Sequence, residues 1–338
     1  MANVAINGLG RIGRATLKII QDAPGLNLVA VNDIVPVDNI AYLIKYDSAY
    51  GRYGKPVATE PGKLIIDGQS YAYLSEKDPA QLPWDEMDVD IVFECTGVFD
   101  KREELEKHIH AGARYVILSA PTKSKDVPTT VYGASKGEGS ESRIISCASC
   151  TTNCITPVVE ILGRRVGIEK AMLTTVHAYT ASQSIVDAPQ KKMRRGRAGA
   201  ANLVPTSTGA AIATTKALPE YEGRFDGVAI RTPVIVGSIA DMVFLTSRDT
   251  SVEEINRIFD EEAQTDRYKG VVGVQHDEIV STDIIGDPRA SIIDAAMTQV
   301  VDGNMVKVMS WYDNEWGYSN QMVREAQRIV ENMAAVSG

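Results

Sequence analysis

Three of the four cysteines in the chain lie close together, at Cys147, Cys150 and Cys154. Their segment follows a β-type run and precedes an amphipathic helical pattern, which places Cys150 near the start of a helix with Ser149 in the N-cap position. The positive end of a helix favours a thiolate, and a fall of about two units from a pKa of ~8.5 would leave the thiol mostly ionised at neutral pH. The pattern indicates a nucleophile at Cys150 or Cys154, which share one helical face.

Other interpretations of the cysteines remain open. A buried apolar role suits Cys95 and Cys147, because free cysteine packs as a small apolar side chain. A metal or cluster site is disfavoured, since no second Cys or His pair at ligand spacing accompanies the segment. Pro157 lies inside the helical pattern, and we therefore expect the first turns of that helix to be irregular.

One histidine, His177, ends an apolar β-type run over 171–176 at the start of the second half of the chain. His108 and His110 belong to a charged helical segment, and His276 to an acidic loop. A lone histidine after a strand is more often structural. Combined with a thiol at a helix start, His177 becomes a candidate base, because a nucleophilic thiol needs a proton acceptor nearby.

The N-terminal segment contains Gly8, Gly10 and Gly13 in the pattern G-x-G-x-x-G, between a β-type run and a helical pattern. These glycines allow a tight turn and the close approach of a pyrophosphate to the helix start. Asp33 ends the second β-type run, 20 residues after Gly13, where a carboxylate hydrogen-bonds ribose hydroxyls. These features predict dinucleotide binding, with NAD preferred over NADP because the carboxylate repels a 2′-phosphate.

Three features of the second half are candidates for anion binding. A basic run covers residues 191–197 and ends at Arg197. It fits a solvated loop, a nucleic-acid contact or a site for a phosphorylated small molecule. The absence of interleaved aromatic residues disfavours nucleic acid. Thr208 and Gly209 precede an alanine-rich helical pattern, which suits either a phosphate or a simple capping turn. Arg231 interrupts a β-type run, and a charge in such a place predicts an anionic partner.

The elements that position these residues change character near residue 149. Before it, short apolar β-type runs alternate with helical patterns, which predicts a Rossmann-type parallel sheet. After it, β-rich runs dominate and Asp302-Gly303 is typical of a hairpin turn, so we predict an α+β domain with a mainly antiparallel sheet. The predicted strands are 2–6, 27–32, 90–94, 115–118, 143–146, 171–176, 227–236, 240–247, 291–294, 298–301 and 306–312, with helices at 11–20, 101–111, 251–264 and 321–333.

The composition limits the class of protein. With 338 residues, 44% apolar and 23% charged, the chain is long enough for about two globular domains and is unlike a collagen, a disordered tail or a membrane bundle. A net charge of −9 disfavours long-range attraction to nucleic acid or anionic membranes. The N-terminus lacks the basic segment and apolar run of a signal peptide, so we expect a cytoplasmic protein without membrane or nucleic-acid partners.

Five segments, spread through the chain in the family's order, together resemble phosphorylating glyceraldehyde-3-phosphate dehydrogenase of the bacterial type. They are 7–14, 149–154, 177–180, 206–211 and 311–318, and Ser-Cys-Thr-Thr-Asn-Cys is the most specific of them. The resemblance implies the glycolytic or gluconeogenic oxidation of D-glyceraldehyde 3-phosphate to 1,3-bisphosphoglycerate with reduction of NAD. It also implies a hemithioacetal and a thioester on Cys150, with His177 as the base and Cys154 as a structural companion.

The same resemblance implies a domain organisation, ligand contacts and an assembly. The domains are a dinucleotide-binding domain at 1–149, a catalytic domain at 150–314 and a C-terminal helix at 315–338 that returns to the first domain. The expected assembly is a homotetramer. The implied contacts with substrate phosphate and inorganic phosphate are Ser149, Thr151, Thr180, Arg197, Thr208, Gly209 and Arg231. The implied NAD contacts are Gly8, Gly10, Arg11, Ile12, Gly13, Asp33, Lys77, Thr96, Ser119 and Asn314.

Some residues depart from the family's pattern. Ala181 and Ser182 stand where many bacterial members have Asn-Asp, so the contribution of that acid to the substrate pocket is absent. Ala188 stands where many strictly NAD-dependent forms have leucine, whereas Asp33 and Pro189 favour NAD, so use of NADP remains open. The alternative functions are an erythrose-4-phosphate dehydrogenase and a non-catalytic NAD-binding protein.

Overall fold

The computed structural model describes residues 1–135 and 142–337. The chain divides into two compact units. Unit 1 contains Met1–Thr130 and the described parts of Lys136–Ala148 and Met322–Gly338, and unit 2 contains Val131–Ser135 and Ser149–Gln321. The division after residue 148 lies one residue from the domain boundary that we predicted at 149.

Unit 1 is built on one large sheet. Its strands are β1 (Ala2–Asn7), β2 (Leu26–Asn32), β5 (Val57–Glu60), β6 (Lys63–Ile66), β7 (Gln69–Leu74), β8 (Ile91–Glu94), β9 (Tyr115–Leu118) and β10 (Ile144–Ser146), and β3 (Tyr46–Asp47) pairs separately with β4 (Gly51–Arg52). The strand order in the described residues is β10-β9-β8-β1-β2-β7-β6-β5. The pairs from β10 to β7 are parallel, and β6 and β5 continue the sheet as an antiparallel meander.

This sheet confirms the Rossmann-type prediction. All five strands predicted in this half form, each within two residues of the predicted bounds, and the helices are α1 (Arg11–Ile20), α2 (Val37–Lys45) and α3 (Arg102–His110), with a short 3₁₀ helix at Pro79–Gln81. We did not predict α2 or the β5–β7 meander. The meander strands are short and half exposed, so they show little apolar periodicity.

Unit 2 contains a second sheet, mainly antiparallel as predicted. Its strands are β11 (Ile168–Ala178), β12 (Val204–Ser207), β13 (Phe225–Thr232), β14 (Ser238–Thr246), β15 (Val272–Gln275), β16 (Ser291–Asp294), β17 (Gln299–Val301) and β18 (Met305–Tyr312). The order is β12-β13-β11-β14-β18-β16-β15, with β17 paired to β18. Among the described strand pairs of this second sheet, only β11/β13 and β15/β16 are parallel. The β17–β18 hairpin turns at Asp302 and Gly303, both with positive φ, as the Asp-Gly signal predicts.

The helices of unit 2 are α4 (Cys150–Arg165), α5 (Ala210–Ala217) and α6 (Val252–Ala263), with short 3₁₀ helices at Met193–Gly196, Pro219–Tyr221 and Ala295–Met297. Our expectation of irregular first turns in α4 is wrong, because the helix is continuous from Cys150 through Pro157. The proline removes one backbone hydrogen bond. Burial of Ile155, Val158 and Leu162 in the main core of unit 2 outweighs that loss.

The last helix, α7 (Trp316–Ser337), is longer than the predicted 321–333. It begins in unit 2 and continues into unit 1, where Gln327 Nε2 donates to the Pro24 carbonyl at 3.0 Å. Over residues 1–135 and 142–337, no helix combines the length and apolar character that crossing a lipid bilayer requires.

Candidate active site

Two elements of unit 2 bring a thiol and an imidazole together. Cys150 is the first residue of α4, and His177 lies one residue before the end of β11. Cys150 Sγ is 3.3 Å from His177 Nε2. Ser149 caps the helix, its Oγ accepting from the Thr152 N–H at 3.2 Å. The two residues that we predicted to react are therefore in direct contact, although 27 positions separate them.

The remaining cysteines are buried, and burial raises their thiol pKa values. Cys154 Sγ contacts Ser310 Oγ at 3.4 Å, and burial raises its pKa to about 12. Burial also raises the pKa of Cys95 to about 12 and that of Cys147 well above its ordinary value. Cys150 is the one cysteine in the described residues that is partly exposed. This difference favours Cys150 over Cys154 as the nucleophile.

The electrostatics of Cys150 differ from our expectation. We expected the helix start to lower its pKa, but burial raises the pKa of the thiol, and the charge of Arg231 and the hydrogen bonds at Thr151 only partly oppose this effect. Removing a thiolate from water costs more free energy than these contacts return. Ionisation of Cys150 therefore requires a proton acceptor, and His177 Nε2 is in contact with the sulfur.

His177 is buried and neutral. The residue is 3% exposed. Burial, then the charges of Arg231 and Arg195, lower the pKa of His177 to about 3, and a hydrogen bond to Ala178 opposes them. The edge of the Tyr312 ring packs against it, with centroids 5.9 Å apart. A neutral imidazole has one unprotonated nitrogen, whose lone pair can take a proton transiently during a reaction.

Arg231 reaches His177 because the two residues are register partners in the parallel β11/β13 pair. Arg231 Nη1 lies 2.6 Å from His177 Nδ1 and donates to the Ala178 carbonyl at 3.0 Å. The anionic partner that we predicted for Arg231 is not a carboxylate of the described residues: its Nη1 contacts His177 and Ala178, and its Nε is buried without a hydrogen-bond partner. The prediction of an anionic partner therefore applies to a ligand.

A second arginine from the basic run joins this site. Arg195 donates to Thr206 Oγ1 at 3.1 Å and to Ser182 Oγ at 3.3 Å, and its charge lowers the pKa of both His177 and Arg231. The resemblance implied Arg197, which instead pairs with Asp187 at 2.8 Å on the exposed surface. The basic run indicated an anion site, but no signal in the chain distinguished one of its arginines from another.

The other residues implied in phosphate binding are distributed around these elements. Thr180 Oγ1 lies 2.8 Å from Ser182 Oγ, which connects it to Arg195. Thr208 Oγ1 accepts from the Ala210 N–H at 3.1 Å at the start of α5, and Gly209 beside it is exposed. Thr151 is buried, with its hydroxyl 2.8 Å from the Tyr312 hydroxyl, so the structure does not present its side chain to a ligand.

A separate cavity of about 380 Å³ lies in unit 1 at the carboxyl ends of β1, β2 and β8. Gly8 has a φ of +92°, and a Cβ there would meet the Thr96 nitrogen at 2.6 Å; a Cβ on Gly13 would meet the Gly8 carbonyl at 1.9 Å. Asp33 accepts from the Leu9 N–H at 2.7 Å and so ties the glycine turn to β2. The cavity is lined by residues that include Gly8, Gly10, Asp33, Lys77 and Thr96.

These features fit a dinucleotide. Helix α1 begins at Arg11 after Gly10, with no side chain capping its first N–H groups and open space where a Gly10 Cβ would lie. The N–H groups at a helix start suit a pyrophosphate, and the Asp33 carboxylate at the cavity suits ribose hydroxyls. NAD is the group that this donor and acceptor set fits.

The remaining residues of the predicted cofactor set lie outside the cavity lining. Arg11 forms an ion pair with Asp47 at 2.7 Å, and Ile12 lies beside it in the first turn of α1. The Ser119 N–H donates to the Glu94 carbonyl at 3.0 Å. Asn314 lies in unit 2, where its Oδ1 accepts from the Gly237 N–H at 3.1 Å and the Ser238 hydroxyl at 3.0 Å. These contacts fix the Asn314 amide oxygen.

Two family models match the chain. The model described as the NAD binding domain of glyceraldehyde 3-phosphate dehydrogenase matches residues 2–102, and the model of its C-terminal domain matches residues 149–314. The chain belongs to the glyceraldehyde-3-phosphate dehydrogenase family. The resemblance that we drew from five segments is thereby confirmed, and so are the fold class and the NAD-binding domain that it implied.

Curated relatives agree with this assignment over nearly the whole length of the chain. A protein named glyceraldehyde-3-phosphate dehydrogenase from Thermotoga maritima is 47% identical over 98% of this chain and 100% of its own length. Proteins of the same name from Streptomyces coelicolor and Haloarcula vallismortis are each 44% identical, over 95% and 97% of this chain and 96% and 98% of their own lengths.

A buried network below the cofactor cavity was not predicted, because His108 belongs to a helix that is charged on average. His108 is fully buried, and its Nε2 lies 3.0 Å from Glu94 Oε2. Glu94 Oε1 in turn accepts from the N–H and hydroxyl of Thr96, which lines the cavity. The available signal in the sequence was Glu94, an acidic residue at the end of the buried strand β8, because a buried carboxylate needs several hydrogen-bond donors.

Proposed function

We propose that this chain catalyses the phosphorylating oxidation of D-glyceraldehyde 3-phosphate to 1,3-bisphosphoglycerate with NAD. The observation that carries the proposal is the 3.3 Å contact between Cys150 Sγ and His177 Nε2. Beside it lie Arg231 and Arg195, whose hydrogen-bond partners in the described residues are His177, Ala178, Thr206 and Ser182 rather than carboxylates. A thiol, a base and an anion site in one unit suit an aldehyde that carries a phosphate. The names of the relatives support the same substrate.

The first half of the reaction takes place on Cys150. Its sulfur adds to the aldehyde carbon while His177 transfers the thiol proton to the carbonyl oxygen, which yields a hemithioacetal. Arg231 and Arg195 bind the substrate phosphate and fix the distance from sulfur to carbonyl. His177 then takes the hydroxyl proton as the carbon is oxidised, leaving a thioester on Cys150. NAD, when bound, supplies the hydride acceptor.

The second half releases the acyl group to inorganic phosphate. Ser149, Thr208 and Gly209 bring hydroxyl and backbone N–H groups at the starts of α4 and α5, where an attacking phosphate is favoured. A phosphate oxygen bonds to the thioester carbon, the carbon–sulfur bond breaks, and His177 returns its proton to the sulfur. We assign phosphate contacts to Arg195 in preference to Arg197, because Arg195 is the arginine whose charge reaches His177.

The cofactor contacts in unit 1 favour NAD over NADP. The Asp33 carboxylate lies at the cavity and would repel a 2′-phosphate. Gly8, Gly10 and Gly13 leave room for the pyrophosphate beside the start of α1. We further infer that Asn314 orients the nicotinamide amide group, because its oxygen is already held by two donors.

We also infer a homotetramer. One face of the unit 2 sheet carries exposed apolar side chains around a groove of about 730 Å³, including Met172 at 62% and Met305 at 49% exposure. The loop that contains the basic run adds Ile185 at 88% and Met193 at 87% exposure. Apolar surface of this extent marks protein contacts. Light scattering on the purified protein should give about four times 36.6 kDa. A cytoplasmic location remains a prediction from the sequence.

The decisive assay follows NADH formation with glyceraldehyde 3-phosphate or erythrose 4-phosphate, with and without inorganic phosphate. We expect steady turnover only with glyceraldehyde 3-phosphate and phosphate together, and about one equivalent of NADH per subunit without phosphate. A preference for erythrose 4-phosphate, or turnover that ignores phosphate, would contradict the proposal. NAD binding without turnover on either aldehyde would favour the non-catalytic alternative.

A further inference from the structure

A buried hydroxyl, Ser238 Oγ, lies where two strand ladders of unit 2 end. The β11/β14 ladder ends with the pair Val176 and Ile239, one residue after Ser238. The β14/β18 ladder ends with Ser238 opposite Tyr312. Ser238 is 1% exposed. Its side chain lies between the end of β11 and the segment that follows β18, which contains Asn314.

The Ser238 hydroxyl forms two hydrogen bonds, and the protein fixes their direction. The Ala178 N–H donates to Ser238 Oγ at 3.1 Å. Because a backbone N–H can only donate, the hydroxyl accepts from Ala178 and directs its own proton to a different group. That group is Asn314 Oδ1, at 3.0 Å. The Ala178 N–H thus makes Ser238 a hydrogen-bond donor toward Asn314.

The Asn314 amide is held in one of its two orientations. Its Oδ1 also accepts from the Gly237 N–H at 3.1 Å, so two donors meet the same oxygen. Exchanging the two ends of the amide would bring Nδ2, which can only donate, against both donors. In the described residues both hydrogen bonds of this side chain end on the oxygen, so Nδ2 keeps its N–H groups for a ligand. An N–H donor suits the carbonyl oxygen of a carboxamide, whereas a second carbonyl oxygen would repel it.

The turn between β18 and α7 is held independently of Ser238. The fully buried Asp313 carboxylate accepts from the backbone N–H groups of Gly286, Glu315 and Trp316 at 2.8, 2.9 and 2.8 Å. These contacts fix the backbone of the turn. Loss of the Ser238 hydroxyl should therefore change the orientation of the amide in this turn without displacing the turn itself.

We propose that Ser238 is a positioning residue for the cofactor: its hydroxyl, directed by the Ala178 N–H, keeps the Asn314 amide with its nitrogen toward the nicotinamide of bound NAD. This inference rests on the proposed function, in which Asn314 orients the nicotinamide. Without the hydroxyl, Asn314 Oδ1 keeps one donor of two, and the buried Ala178 N–H loses its acceptor. The reversed amide, which presents an oxygen to the carboxamide carbonyl, then becomes populated.

The first test compares the binding of NAD with that of ADP-ribose, which lacks the nicotinamide. In Ser238→Ala, we expect the Kd for NAD to rise roughly fivefold to tenfold, the effect of one lost hydrogen bond, and the Kd for ADP-ribose to stay unchanged. Isothermal titration calorimetry on protein freed of nucleotide measures both constants without turnover. An unchanged Kd for NAD would overturn the proposal. An equal rise for both ligands would also overturn it, because it would indicate damage to the cofactor cavity as a whole.

Ser291→Ala is the matched control. Ser291 is a fully buried serine of β16 in the same sheet, and its hydroxyl lies 2.8 Å from the Ser310 hydroxyl. The change removes the same atom from a similarly buried site whose hydrogen-bond partner is Ser310 rather than Asn314. We expect this variant to bind NAD and ADP-ribose as the parent does. A Kd for NAD raised as much as in Ser238→Ala would mean that loss of any buried hydroxyl in this sheet weakens NAD binding, and would overturn the proposal.

A double-mutant cycle tests whether Ser238 acts through Asn314. Asn314→Ala removes the amide, so adding Ser238→Ala to that variant should leave the Kd for NAD unchanged. The same fold-loss in the parent and in Asn314→Ala would show that the two residues contribute independently. That result would overturn the assignment of Ser238 as a positioning residue.

Kinetics separate this inference from the proposed function. With saturating glyceraldehyde 3-phosphate and phosphate, the KM for NAD should rise in Ser238→Ala by a factor similar to that in Kd, and should stay at the parent's value in Ser291→Ala. Turnover by Ser238→Ala with the parent's KM for NAD would retain the function and overturn the positioning role. No turnover by the parent would instead contradict the proposed function, and the binding measurements would still decide whether Ser238 orients Asn314.

Discussion

Two buried histidines, one in each unit, differ in the neighbours of their ring nitrogens. His108 Nδ1 accepts from the Trp84 indole N–H at 3.0 Å, and its Nε2 lies 3.0 Å from Glu94, so one donor and one acceptor fix a single tautomer. His177 has both a donor and an acceptor at Nδ1 and a thiol at Nε2. Both rings are buried, so burial does not explain the difference. A hydrogen-bond pattern that fixes one tautomer stabilises the fold. A pattern that fits either tautomer leaves the ring able to react.

The charges around the two rings differ in the same way. Glu94 accepts from Asn7 Nδ2 at 2.6 Å, from the Thr96 N–H at 2.8 Å and from His108, and so joins the ends of β1 and β8 under the cofactor cavity. In unit 2, the charge of Arg195 lowers the pKa of Arg231, and neither arginine forms an ion pair with a carboxylate in the described residues. Protein partners therefore satisfy the buried polar groups around His108, whereas the cations beside His177 suit an anionic ligand.

The largest effect should follow from Cys150→Ser, which removes the nucleophile of the reactive pair. We expect kcat to fall roughly 10⁴-fold or more, with NAD affinity retained, because the cofactor cavity lies in the other unit. Steady-state NADH formation and NAD titration measure the two quantities. Cys154→Ser is the matched control, since its hydroxyl can still contact Ser310, and it should retain most activity. Loss of activity in Cys154→Ser alone would reassign the nucleophile.

His177→Asn should have the next largest effect, because it removes the base but keeps a polar group of similar width. We expect kcat to fall roughly 10²- to 10³-fold. Alkylation of Cys150 by iodoacetamide should also slow near neutral pH, because the thiol loses its proton acceptor while burial keeps its pKa raised. Unchanged alkylation would show that Cys150 ionises without His177.

For His108→Phe, the comparison of the two histidines predicts a loss of stability rather than a loss of activity. This change leaves the buried Trp84 N–H without an acceptor and removes one donor from Glu94, so we expect a loss of roughly 2–4 kcal/mol in unfolding free energy. The kcat of the folded protein should fall far less than in His177→Asn. Denaturant unfolding measures the first quantity. His110→Phe, two residues later on the same helix and exposed, is the control and should change stability little. Equal stability of the two variants would refute a structural role for His108.

The sequence predicted those parts of the site that depend on residues close together in the chain. The glycine turn, the helix start at Cys150 and the histidine at the end of β11 each have a local signal, in spacing or in apolar periodicity. Contacts between distant residues have no such signal. Arg195 could not be chosen from the basic run, because its neighbours, Ser182 and Thr206, come from other segments.

His108 shows the same limit more clearly. Its helix is charged on average, so the pattern indicated a solvated face, yet this one residue is buried against Trp84 and Glu94, 24 and 14 residues earlier in the chain. The predicted pKa of Cys150 was wrong for a related reason: the helix start is visible in the sequence, but the burial that outweighs it depends on packing across unit 2.

The smallest predicted effect concerns the pH dependence of stability and tests whether His177 is neutral in the folded protein. Its pKa falls from 6.5 to about 3 on folding, so below pH 6.5 the unfolded chain binds a proton that the folded one does not. Stability is therefore lost as pH falls from 6.5 towards 3. Between pH 6.5 and about 5.5 the parent should lose about 1 kcal/mol more unfolding free energy than His177→Asn, from one titrating group at ~1.4 kcal/mol per unit. Taking the difference between the two proteins removes the carboxylates that titrate in both. Parallel curves of unfolding free energy against pH for the two proteins would mean that the folded protein protonates His177 as readily as the unfolded chain does. The contrast between the two buried histidines would then rest on the geometry of their hydrogen bonds alone.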